Sequence, residues 1–430
     1  MTRMFDSEAT GSGGAEGSLR PVLRGALHLL SGQSVRLISQ SLYLVLLTRS
    51  LGADSYSKVT ALLALFVSIY PFTCLGTPLL VLRGVARSPE QRARHWGAGL
   101  AITVTLGLLA SLLLAFVAPR LLGIDFPRLP LFLFATAELV GFGVIQVLNG
   151  VQQGEERLGR VAVILALLSV LRLGIMAAVQ FVAGLDLARF SYAYFAGSML
   201  TLTWALAVYA RHWGRPVLPR RIAELRAIAR DGIHVSLAAS GRSLLLGLDK
   251  MMLPALFGLT AAAQYGAAMR VVMFAFIPLQ SLLVALLPRL FQEGGRSLKD
   301  GLQIWRRTAP LGMAYALSVA LLIFLAAPLI QTVLGPEFTE VAGVLRRGVW
   351  LLILLALYQP LGDALTGADF FAYRSFSLIV AVACNFGLNA WLIPRHGWRG
   401  ALLAAYAANL LLLALYALRV RKNARQAHEA

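Results

Sequence analysis

The sequence predicts an all-α polytopic membrane protein, with about 12 transmembrane helices in two pseudo-symmetric six-helix bundles around a central cavity. Three observations carry this. Of the 430 residues, 58% are hydrophobic and only 14% charged, where soluble domains carry about one quarter charged. Apolar runs recur from Leu27 to Leu418, each close to the roughly twenty residues a helix needs to cross a bilayer. The runs do not alternate over about ten residues as barrel strands do, which removes a β-barrel.

Cutting at turn and charge clusters gives twelve spans, near 22–48, 59–82, 97–118, 130–150, 161–182, 190–210, 233–257, 262–288, 309–333, 342–365, 372–393 and 400–418. Residues 1–21 read as a disordered cytoplasmic tail, because "MTRMFDSEATGSGGAEGSLR" is polar and Gly/Ser-rich. An N-terminal bundle (22–210) and a C-terminal bundle (233–418) follow, joined by a basic cytoplasmic linker (211–232). A basic cytoplasmic tail (419–430) closes the chain.

Charge orients the spans. Lys and Arg number 39 against 20 Asp and Glu, a net +19. In a soluble protein that excess points to nucleic acid. Here 23 of the basic residues fall in the tails and the loops after even-numbered spans, and 7 in the opposite loops. The excess is therefore the basic bias of cytoplasmic loops. Both termini are expected in the cytoplasm of a bacterial cell, the chain crossing the inner membrane many times, with no nucleic-acid partner. Trp96, Trp213 and Trp305 sit beside basic loops, and Trp391 and Trp398 mark the other face, as an interfacial belt would.

Several function classes drop out. The non-cytoplasmic loops are short, and the chain has neither a G-x-x-x-x-G-K-[ST] phosphate loop nor a G-x-S-x-G nucleophile motif. An enzyme is not expected. The six histidines form no cluster at metal-ligand spacing, and Cys74 and Cys384 lie in apolar runs as free thiols. Neither a metal nor a cofactor is expected.

The informative residues are charges inside the spans. Arg24, Arg289, Arg346 and Arg347 lie near span ends, where a long side chain reaches water. Arg36, Arg172, Arg242, Lys250 and Arg270 are mid-span, against three acids, Glu138, Asp249 and Asp363. Buried charge is costly in lipid and usually faces protein or an aqueous cavity. Gln33, Arg36, Gln40 and Tyr43 share one face of span 1, a polar stripe that must meet protein or water. Arg242 and Asp249 are seven residues apart on one face of span 7, and Lys250 points about 100° from Asp249. One reading pairs Glu138 with Arg172 and Asp249 with Lys250, purely to hold helices together. Three acids cannot neutralise five cations, however, so the set predicts a positively charged cavity suited to a phosphate-bearing ligand. The three acids then support the cations or couple transport to an ion.

The order of several segments resembles the polysaccharide-transporter family, the Wzx-like flippases of the multidrug/oligosaccharidyl-lipid/polysaccharide (MOP) superfamily. They are "LLTRSLGADSYSKVTALLALFVSIYPFTCLGTPLLVLRGVAR" (46–87), "LNGVQQGEERLGRVAVI" (148–164), "LDKMMLPALFGLTAAAQYGAAMRVV" (248–272), "LIQTVLGPEFTEVAGVLR" (329–346) and "NFGLNAWLIPRHGWRGALLAAYAANLLL" (385–412). The resemblance implies alternating access by two six-helix bundles. It implies a flippase that carries polyprenyl-pyrophosphate-linked oligosaccharide from the cytoplasmic to the periplasmic leaflet for surface polysaccharide synthesis. Membrane lipids, a polysaccharide polymerase and chain-length machinery are the partners it implies. Three alternatives stand beside it: a peptidoglycan lipid-precursor flippase, a MATE-like drug or cation exporter, and a non-transporting scaffold for envelope enzymes. An acid-poor interior argues against cation export.

Overall fold

The computed structural model describes residues 20–213, 215–218, 222–294, 298–334 and 340–429. The predicted tail over 1–21 lies outside them, apart from the helix start at Arg20, as does part of the 211–232 linker. All regular structure among the described residues is helical. In chain order the helices are α1 (Arg20–Thr73), α2 (Thr77–Arg87), α3 (Arg92–Leu122), α4 (Arg128–Gly154), α5 (Leu158–Ala183) and α6 (Leu187–Trp213). They continue as α7 (Ile222–Phe257), α8 (Leu259–Gly294), α9 (Leu298–Leu334), α10 (Val341–Gly367), α11 (Phe371–His396) and α12 (Trp398–Glu429).

Ten stretches among the described residues, not the expected twelve, are long and apolar enough to cross a membrane. The expected spans that fall outside the ten are the first, within α1, and the seventh, within α7. The reason is chemical. Span 1 carries Gln33, Ser34, Arg36, Ser39, Gln40 and Ser41, and span 7 carries Arg242, Asp249 and Lys250. The break expected between spans 1 and 2 is also absent as a loop, since α1 is helical for 54 residues. At about 1.5 Å per residue that is well over twice the thickness of a hydrocarbon core. Span 2 instead breaks near its end, where Leu75 and Gly76 adopt positive φ before α2.

The chain forms two compact units, Met1–Leu225 with Val284–Pro288, and Arg226–Leu283 with Arg289–Ala430. In the first, α1 packs on α5, α5 on α6, and α4 against α2, α3 and α6. Its core is an aromatic stack in which Phe134 meets Phe66, Phe190 and Tyr194 edge-on at centroid distances of 5.2, 5.1 and 4.9 Å. Such edge-to-face pairs add to the area they bury. In the second unit α11 packs on α12, α9 on α10, and α10 on α12.

The outer faces are apolar. Along α9, Leu311, Leu317, Leu321, Leu322, Leu325 and Leu329 are all exposed, more apolar surface than a water-facing helix carries. The predicted tryptophan belt is only partly present. Trp391 is 57% exposed, whereas Trp96 and Trp398 are buried against protein, and the Trp213 side chain lies outside the described ones. Cys74 and Cys384 are free thiols.

Candidate functional site

The second unit contains a cavity of about 470 Å³ walled by α7 and α8, within the roughly 300–1,000 Å³ range of small-molecule sites. Arg242, Leu246 and Lys250 recur every four residues along α7, so one helix face supplies a cation at each end of the wall. From α8 come Gly266, Met269, Arg270, Met273, Phe274, Phe276, Ile277 and Gln280. Three cations and no acid line the cavity among the described residues. Among the described residues, Arg242 and Arg270 make no hydrogen bond or ion pair; Lys250 donates from Nζ to the Leu246 carbonyl at 2.8 Å. Apart from Gln280, the remainder of the lining is apolar and includes Met269 and Met273. The wall therefore offers guanidinium and ammonium donors to an anion beside a surface that accepts hydrocarbon.

Asp249 does not share that wall. It is 4% exposed and accepts the Tyr265 hydroxyl on Oδ2 and the Lys250 backbone N–H on Oδ1 at 2.8 Å. The side-chain pairing of Asp249 with Lys250 is not formed; a tyrosine from α8 holds the acid and leaves the lysine ammonium on the cavity. Asp363 on α10 is likewise held within the unit, by Arg374 Nη2 of α11 at 3.0 Å. Arg374 also donates to Thr366.

In the first unit the pairing of Glu138 with Arg172 does form, Nη1 to Oε1 at 2.7 Å. Arg172 further donates to Ser198 Oγ at 2.9 Å and Tyr194 OH at 2.7 Å, while the Tyr194 hydroxyl donates to Glu138. Glu138 sits on a π-helical turn, Ala137–Phe142, inside α4; such turns often mark functional sites. Two members of the α1 stripe reach this cluster. Arg36 interacts electrostatically with Glu138 and Arg172, and the Tyr43 ring lies 6.4 Å from that of Tyr194. The Tyr43 hydroxyl is buried with no hydrogen-bond partner among the described residues. Gln33 is half-buried and Gln40 exposed.

The structure thus gathers Arg242, Lys250 and Arg270 in one place, and Arg36, Tyr43, Glu138 and Arg172 in another. Tyr194, Tyr265 and Arg374 are the residues that sequence reasoning missed. Tyr265 stands in a segment singled out above, but no spacing rule links it to Asp249, 16 residues earlier. Arg374 sits at the edge of the eleventh expected span, where a long side chain can reach water.

The sequence profile of the polysaccharide biosynthesis protein family matches residues 22–293, well over half of the chain. The chain belongs to that family. No curated protein sequence matches this polysaccharide biosynthesis protein. Among solved structures, a MATE mutant crystal structure superposes with a TM-score of 0.78 at 18% identity, over 95% of this chain and 97% of that one. The outward-facing conformation of a multidrug resistance MATE family transporter of the MOP superfamily gives 0.75 at 16% identity, over 94% and 96%. A MOP superfamily transporter from Pyrococcus furiosus, described as having a reverse polarity of binding pocket that suggests a different function, gives 0.75 at 16%, over 93% and 95%. This family member is therefore a multi-pass helical membrane protein with the MATE transporter fold.

Proposed function

We propose that the protein is a flippase for a polyprenyl-pyrophosphate-linked oligosaccharide, moving it from the cytoplasmic to the periplasmic leaflet by alternating access. The observation that carries this reading is the cavity on α7 and α8, lined among the described residues by three cations and no acid. A diphosphate headgroup accepts hydrogen bonds from Arg242, Arg270 and Lys250, and the methionines and Phe274 contact its apolar neighbour. Membership of a polysaccharide biosynthesis family supports the glycan-carrying cargo. A MATE-like exporter of organic cations is disfavoured by the sign of the wall, since a cation entering it meets like charge. That a neighbour of the same fold is described by reversed pocket polarity and a different function is in line with a fold whose cargo follows pocket charge.

The test is the sidedness of labelled polyprenyl-pyrophosphate glycan in cells carrying the wild type, a deletion, or Arg242→Ala at matched membrane abundance. Losing one charge-assisted contact is worth about 1.5–3 kcal/mol, so Arg242→Ala slows appearance on the outer face roughly 10- to 100-fold. The deletion abolishes it. Unchanged sidedness in the deletion would overturn the flippase reading. Loss in the deletion with a normal rate in Arg242→Ala would overturn only the site.

A further inference from the structure

Away from the cavity, the second unit carries a basic patch at the end shared by the start of α10 and the junction of α11 with α12. Arg346, Arg347, Arg395 and Arg399 are all exposed there. Arg347 and Arg399 come from different helices, yet both guanidiniums lie 5.4 Å from the centroid of the same indole, Trp398. Arg346 lies 5.6 Å over Phe324, whose ring packs 5.8 Å from Trp350. Arg395 stacks 5.2 Å over the exposed Trp391 and donates to its carbonyl at 2.7 Å.

Among the described residues, Arg346, Arg347 and Arg399 have no ion pair and donate no hydrogen bond. Glu340 flanks the patch, but its backbone N–H is engaged by Gln264 and its carboxylate forms no ion pair with Arg347. Reaching for water explains one arginine at a helix end. It does not explain two like charges drawn onto a single buried ring, where neither guanidinium donates a hydrogen bond among the described residues and each repels the other. On the orientation that the loop charges predict, this is the non-cytoplasmic end, where basic residues are otherwise scarce.

We infer that the Trp398 patch is a docking site for an anionic phospholipid headgroup of the outward-facing leaflet. The indole presents Arg347 and Arg399 to one phosphate-bearing headgroup, whose negative charge removes their mutual repulsion. Trp391 and Arg395 lie at the level where headgroup meets acyl chain, the depth aromatic side chains favour. Such a contact would hold this end of α10 and the α11–α12 junction at a fixed depth. It uses none of the residues assigned to cargo.

Purified full-length protein in detergent is titrated with short-chain phosphatidylglycerol, with phosphatidylethanolamine and with inorganic pyrophosphate. Bound lipid is read by native mass spectrometry. The wild type is compared with Arg347→Gln/Arg399→Gln. The expected result is retention of phosphatidylglycerol over phosphatidylethanolamine, reduced at least 5-fold in the double variant. Equal retention by the wild type and the double variant would overturn the inference. So would pyrophosphate binding at the patch without phosphatidylglycerol, which would make it a site for a soluble anion. A melting temperature within a few degrees of wild type confirms that the double variant is folded.

Discussion

Glu138, Asp249 and Asp363 each have a donor from a neighbouring helix, and in two cases that donor is a tyrosine. The acids are thereby satisfied inside their units, while Arg242 and Arg270 make no hydrogen bond or ion pair among the described residues and line the cavity. This division predicts opposite consequences for substitutions of similar size. Glu138→Ala strips the carboxylate from Arg172, and both side chains are only 13% exposed. Removing one member of a buried pair costs about 3–5 kcal/mol because the other charge stays behind. Thermal unfolding in detergent should show that loss, and the Glu138→Leu/Arg172→Leu double variant should recover much of it. Arg242→Ala, by contrast, should change stability by no more than about 0.5 kcal/mol, as at surface positions. The surplus of cations was legible in the sequence because counting acids requires no fold. The tyrosine partners were not, since Tyr265 meets Asp249 only once α8 has packed against α7.

At the scale of the helix, the charged sites depend on how closely helices approach. Gly197 of α6 faces Arg172 of α5, and a Cβ there would lie 2.9 Å from the Arg172 Cα and 3.1 Å from its N. Backbone cannot yield as a side-chain tip can, so α6 would have to move and carry Tyr194 and Ser198 with it. Gly197→Val should therefore lower the unfolding temperature and slow transport together. Gly174, on α5 itself, has nothing within 4 Å of its would-be Cβ. Gly174→Ala should be neutral or stabilise by up to about 1 kcal/mol, the usual helix-propensity gain. Hydropathy alone located most helices, because α3, α5, α9 and α11 are long and apolar along most of their length. It could not find the π-helical turn that carries Glu138, since an extra residue in a turn leaves no mark on apolar periodicity. It also placed a loop between spans 1 and 2 where the chain stays helical, because "TRSLGADSYSK" has the polar composition of a turn.

For the molecule as a whole, the two expected spans that fail an apolarity test are those whose polar faces form the candidate sites: α1 brings Arg36 and Tyr43, and α7 brings Arg242 and Lys250. At the centre of a lipid-facing helix, each Arg, Lys or Asp costs about 2.5–3.5 kcal/mol, so α7 could not cross alone with three of them. In the folded unit Asp249 is held by Tyr265, and Arg242 and Lys250 open onto a cavity rather than lipid, which removes most of that cost. At 36 residues α7 is also longer than a bilayer requires. The prediction is that α7 crosses despite its charges, placing its two ends on opposite sides. In a background lacking Cys74 and Cys384, Arg230→Cys and Thr260→Cys probe exposed positions before and after the charged stretch. An impermeant maleimide applied to intact spheroplasts should label the Thr260 position and reach the Arg230 position only after the membrane is opened. Labelling of both from one side would mean that α7 lies along the membrane surface. The cavity would then face headgroups rather than the membrane interior, and its role as a cargo site would fall with it.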